Sequence, residues 1–76
     1  MMERFAVVLV ESTSQAMRVE HLLNQAGLTC RLIPVPRVLS SNCGNCVRIE
    51  EGDMEKARQV LAANRITNAD VRAVEL

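Results

Sequence analysis

The residues of this chain best suited to chemistry at short range are Cys43 and Cys46, two soft nucleophiles separated by Gly44 and Asn45 and preceded by Ser40, Ser41 and Asn42. A CxxC pair can close as a disulfide switch, supply half of a metal site, or hold one sulfur-handling thiol beside a resolving partner. Residue type alone does not choose among these. Inert packing stands beside them, because cysteine also serves as a small hydrophobe at the start of a strand. Packing is the better reading for the third thiol, Cys30, which sits inside a strand pattern.

The elements that must position these thiols follow from the apolar spacing. Phe5 to Val10 is a continuous, largely β-branched apolar run, the pattern of a central strand buried on both faces. Ser12-Thr13-Ser14-Gln15 offers a Ser cap with Gln three residues on, so side-chain oxygens can take up amide donors at a helix start. Ala16, Val19, Leu22, Leu23 and Ala26 then repeat at helical spacing, and Gly27 suits a left-handed C-terminal cap, which predicts a helix over 13–26. Thr29 to Ile33 reads as a second strand, ended where Pro34 and Pro36 remove ladder donors. Residues 34–45 are expected to form a loop. Cys46 to Glu50 alternates with period two, placing Val47 and Ile49 on one face and Cys46, Arg48 and Glu50 on the other. Glu51-Gly52 makes a turn, Asp53 can cap, and Met54, Ala57, Val60 and Leu61 draw the stripe of a second helix. Val71 to Leu76 closes the chain as an edge strand.

The order strand, helix, strand, strand, helix, strand predicts an α+β, ferredoxin-like split βαβ fold, with a four-stranded antiparallel sheet and both helices on one face. The helices cover one side of a strand that is apolar on both. The open sheet face then carries Val and Leu side chains that a homo-oligomer through that face would bury.

Composition narrows the function classes. Seventy-six residues are expected to form one domain over 1–76, small enough for association to help its stability. Nine basic and nine acidic residues give a formal charge of zero, and Phe5 is the single aromatic, so neither a basic field for phosphates nor a set of rings for bases is present. Nucleic acid is not an expected partner. The apolar run at the N-terminus is far too short for a membrane span, and an odd number of cysteines argues against a secreted disulfide framework, so a cytoplasmic location without membrane contact is expected. A zinc ribbon needs two CxxC pairs or added His ligands, whereas this chain supplies one pair and a distant His21 that reads as a solvated helix residue. No metal ligand set and no cofactor are assigned. Glu50, Glu51, Asp53 and Glu55 read as a solvated turn and helix start. There is no Ser-His-Asp order and no phosphate-cradling Gly-rich loop, so a free-standing enzyme is not expected.

The run Leu32-Ile-Pro-Val-Pro-Arg-Val-Leu-Ser-Ser-Asn-Cys-Gly44 is more specific. Together with a first strand ending near Ser or Thr and a helix carrying Glu20, its PxPR, Ser-rich turn and Cys43-Gly44 resemble the small bacterial family of selenium/sulfur carrier-like proteins. Cys46 is not a fixed part of that pattern. The resemblance spans nearly the whole chain and implies a cytosolic domain, in some members fused to a sulfur-carrier domain of the sulfurtransferase type, with a role in selenium or sulfur transfer. It implies donor and acceptor proteins such as a cysteine desulfurase or a sulfurtransferase.

A persulfide or perselenide carrier needs one exposed thiolate on a loop that can visit both donor and acceptor, and Cys43 is the residue expected to provide it. Gly44 would let a partner backbone approach, Ser40 and Ser41 could donate hydrogen bonds to a thiolate or terminal sulfur, and Arg37 is a cationic neighbour that would favour the thiolate. Each also has a plainer reading, the serines and glycine as turn formers and the arginine as a solvated loop charge. Cys46 would act as resolving thiol. The rival readings are a thiol-disulfide or metal-binding switch through the CxxC pair and a non-catalytic oligomeric interaction module. A thioredoxin-like site fits poorly, because its first cysteine sits at a helix N-terminus and here a strand follows.

Overall fold

The computed structural model describes residues 3–39 and 43–76; Ser40 and Ser41 lie outside the described residues. β1 (Arg4–Leu9), α1 (Thr13–Gln25), β2 (Cys30–Pro34), β3 (Asn45–Ile49), a 3-10 turn (Glu51–Asp53), α2 (Met54–Ala63) and β4 (Asp70–Glu75) follow one another in the split βαβ order. All three strand pairings are antiparallel, and the spatial order is β2-β3-β1-β4. The ferredoxin-like arrangement expected from the apolar spacing is the one observed. Phe5, Ala6, Val7 and Val8 of β1 are all buried, as a strand between two neighbours and two apolar layers must be.

Local chemistry sets the helix ends. Ser12 Oγ accepts from the Gln15 amide at 3.1 Å, while Gln15 Oε1 accepts from the Glu11 amide at 2.8 Å, so two donors at the start of α1 are satisfied reciprocally. At the other end Gly27 takes a φ of 88°, its amide donates to the Asn24 carbonyl and that of Leu28 to Leu23, both at 3.0 Å. This is a Schellman closure, sealed by Leu28 and Leu23 in the same buried cluster. α2 ends the same way, the amides of Arg65 and Ile66 reaching Ala62 and Leu61, but there a non-glycine residue, Arg65, takes the left-handed position at φ 58°. Asp53 stands at the start of α2 without a side-chain capping bond, because the preceding 3-10 turn already leads the chain into the helix.

Strand limits shift by one residue from the sequence reading. β2 retains Pro34, which faces Asn45 as the last rung of the pairing, and the next amide along, that of Val35, donates to the Gly44 carbonyl at 3.1 Å. Alternation puts the Pro34 nitrogen on the outer edge, where no ladder donor is needed. β4 starts at Asp70, opposite Leu9.

Two cores lie on opposite sides of the sheet. The larger gathers Ala6, Val8, Val47 and Ile49 under Ala16, Val19 and Leu23 of α1 and Ala57 and Leu61 of α2. The smaller holds Phe5, Val7, Cys46 and Val74, each at most 3% exposed, on the face without helices. This overturns the expectation of a bare apolar face. Val35 and Leu39 fold back from the β2–β3 loop onto that cluster, and the Arg48 guanidinium lies 4.0 Å from the centroid of the Phe5 ring while pairing with Glu3. The apolar side chains are thus covered within the chain, and the reason given for a homo-oligomer through the open sheet face no longer holds.

Candidate functional site

The cysteine loop leaves β2 after Pro34 and returns at Asn45, so its two stems are held by the last rungs of the β2–β3 ladder. The Val35–Gly44 backbone bond draws the neck closed one step beyond the strands. Within the loop the Leu39 amide donates to the Pro36 carbonyl at 3.0 Å, a turn that puts Arg37 and Val38 at its tip. Both tip residues are exposed, Val38 at 66%, and among the described residues Arg37 makes no ion pair.

The two thiols of the pair face different surroundings. Cys43 is 6% exposed and belongs to the helix-side cluster, whereas Cys46, the first inward residue of β3 on the other face, is fully buried among Phe5, Val7 and Val74. The period-two reading of β3 foretold the orientation of Cys46. The exposed thiol expected at Cys43 is not what the structure holds, because the loop neck tucks its side chain into the rim of the core. Burial pushes the Cys46 thiol from an ordinary 9.0 up to about 11, and the neighbouring Cys43 adds to the rise. At neutral pH Cys46 is therefore a protonated, poor nucleophile. All three cysteines are thiols, not half-cystines. Bridging Cys43 and Cys46 would require one sulfur to leave its own apolar cluster.

Cys30 opens β2 half-buried against the helix-side core, its Sγ donating to the Glu20 carbonyl and to Asn24 Oδ1, both at 3.4 Å. Burial, with the Glu20 carboxylate beside it, raises its pKa as well. Its surroundings suit the packing role read from the sequence.

Gly44 is exposed, and a methyl built on it would meet open space. Among the described residues nothing demands glycine there. Of the residues singled out from sequence, the structure places Cys43, Gly44 and Cys46 together where loop meets strand and Arg37 in the exposed Pro36–Leu39 turn; Ser40 and Ser41 lie outside the described residues. Glu20, noted in the sequence as part of the family resemblance, has its Oε2 accepting the outward amide of Leu32 at 2.9 Å. One contributor was missed: Leu39 packs against the Cys46 cluster, and its signal was the Val38-Leu39 apolar pair inside the loop. Among the described residues no three His, Cys, Asp or Glu side chains gather as a cation site would need.

An α+β split βαβ unit with a cysteine pair at the junction of loop and third strand defines a small thiol-bearing domain. Residues 5–71 match the family described as "Putative Se/S carrier protein-like", and the chain belongs to that family. No curated protein and no solved structure matches it. Among the described residues no helix is long and apolar enough to cross a membrane.

Proposed function

We propose that residues 1–76 act as one carrier domain in which Cys43 accepts sulfur or selenium as a persulfide or perselenide and passes it to an acceptor protein. The observation that carries the reading is the placement of the pair: Cys46 is fully buried on the helix-free face with its thiol pushed up to about 11, while Cys43 lies at the rim of the core, at the neck of the loop that carries the exposed Arg37 and Val38. The Cys43 thiolate attacks the outer sulfur of a donor persulfide, such as that of a cysteine desulfurase; a new S–S bond forms at Cys43, the donor thiolate leaves, and no net oxidation occurs. Arg37 and Val38 at the exposed tip, with Gly44 at the neck, form the surface that donor and acceptor meet. Ser40 and Ser41 are proposed to hydrogen-bond the bound sulfur.

Cys46 has a conditional part. As thiolate it would attack the inner sulfur of the Cys43 persulfide, release hydrosulfide and leave an intramolecular disulfide that a dithiol reductant must reopen. Burial suppresses this while the fold is closed, so release of hydrosulfide is expected only when the loop is open. The domain is proposed as a transfer accessory of the cytoplasm, not as an enzyme.

Incubation with a cysteine desulfurase and labelled cysteine or selenocysteine, read by intact mass, tests the assignment. Label is expected on wild type and on Cys46→Ala and not on Cys43→Ala. Label that survives the loss of Cys43, or no adduct on any variant, removes the carrier role from this residue.

A further inference from the structure

The two edges of the sheet are not treated alike. On β2 the outward positions are Cys30, Leu32 and Pro34; Glu20 takes the Leu32 amide and Pro34 has none to offer, so little is left for another strand to pair with. On β4 the parity follows from Glu3 and Leu76, which exchange both backbone bonds at 2.8 Å. Val74, Arg72 and Asp70 therefore bond inward to Phe5, Val7 and Leu9, and Val71, Ala73 and Glu75 turn their amides and carbonyls outward. Among the described residues no side chain caps those groups, and β4 contains neither Pro nor Lys.

The sequence along this edge is complementary to itself when run antiparallel. Ala69-Asp70-Val71-Arg72-Ala73, laid on a second copy about a two-fold axis at Val71, sets Val71 against Val71, Ala69 against Ala73, and Asp70 against Arg72, twice. Asp70 and Arg72 share the face that carries Val74, while Val71 and Ala69 contribute to the helix-side core, so the charged pairs meet on one face and the small apolar pairs on the other. Within one chain Arg72 Nε already lies 2.8 Å from Asp70 Oδ2, both exposed, so these charges can be shared across the axis without any desolvated ion. We infer that the outer edge of β4 is an interaction surface for a second copy of this chain, joined strand to strand into a continuous eight-stranded antiparallel sheet. The axis stands perpendicular to the sheet, which leaves both helix layers on one side and both cysteine loops accessible at the far ends, beyond β3. The pairing does not depend on the carrier role of Cys43.

Charge reversal separates this surface from any other. Sedimentation equilibrium of wild type is expected to give twice the 8.4 kDa chain mass at micromolar concentration. Asp70→Arg and Arg72→Asp, each setting like charges opposite one another across the axis, are expected to weaken the dimer at least about tenfold, and Ala73→Pro, which removes an outward amide and leaves the β1–β4 ladder, to abolish it. An equimolar mixture of the two charge variants is expected to form a heterodimer, because each arginine then meets an aspartate of the other chain. Circular dichroism on each variant alone checks that the fold is kept. A wild type that stays monomeric to about 1 mM, a dimer indifferent to all three substitutions, or variants that do not combine on mixing each overturn the proposal.

Discussion

Cys46 is the residue whose environment has the most direct consequence in solution. Its thiol is fully buried in a small apolar cluster and its pKa is raised from 9.0 to about 11, so the folded state prefers the protonated form more strongly than the unfolded chain does. The stability that this preference contributes is complete below pH 9 and is lost as pH rises toward 11, because the unfolded state then binds fewer protons than the native one. The chain has a single lysine, Lys56, and no tyrosine, so few other groups cloud that window. The urea midpoint is expected to fall between pH 9 and 11 in wild type and to fall less in Cys46→Ala, with Cys30, also raised, supplying part of the residual slope. Equal slopes would mean that the Cys46 environment is not the one described. Gly44 gives a second residue-scale expectation. Since a methyl there meets open space, Gly44→Ala should leave stability within about 0.5 kcal/mol while slowing transfer if a partner backbone approaches at this point. Thermal melts and the labelling assay together read both halves.

At the scale of elements, the helix ends make a matched experiment. Gly27 and Arg65 occupy the same left-handed position after α1 and α2, each with the two backbone bonds of a Schellman closure. A side chain in that conformation costs roughly 1 kcal/mol. Gly27→Ala is therefore expected to destabilise by about 1 kcal/mol and Arg65→Gly to stabilise by about 0.5–1 kcal/mol, opposite signs from chemically equivalent sites, as read by urea unfolding. The Arg65 gain is reduced by the added freedom of glycine in the unfolded chain, which is why its range lies lower. Glu20 belongs at this scale too, because its carboxylate protects an edge rather than a charge partner.

For the molecule as a whole, the central fact is that the described residues of the cysteine loop pack on both sides of the sheet. Cys43 tucks into the helix-side core, and Val35 and Leu39 cover Cys46 on the other face. Reaction of either thiol with a reagent then requires the loop to open. Alkylation of Cys43 and Cys46 by iodoacetamide, followed by peptide mass, is expected to run at least about tenfold slower in the native protein than in urea, and Leu39→Ala is expected to speed Cys46 more than Cys30. Equal rates at Cys46 in native and unfolded protein would show that the loop is not docked as described.

The sequence by itself determined the element order, the split βαβ fold and the face to which each β3 side chain points, because these rest on periodicities of 2 and 3.6 that a chain carries locally. It also marked the candidate site, since CxxC, PxPR and Cys43-Gly44 are readable without coordinates. How the described residues of the loop lie was set by contacts made in three dimensions. Whether Cys43 is offered or tucked away, and whether the second sheet face is bare or covered, depend on Val35 and Leu39 returning across the sheet and on Arg48 lying over Phe5. Those contacts join residues far apart in sequence and carry no periodic signal. Burial is a property of the assembled surface: the closed fold makes Cys46, on β3, a buried acid of about 11 and holds the Cys43 sulfur at the rim of the core.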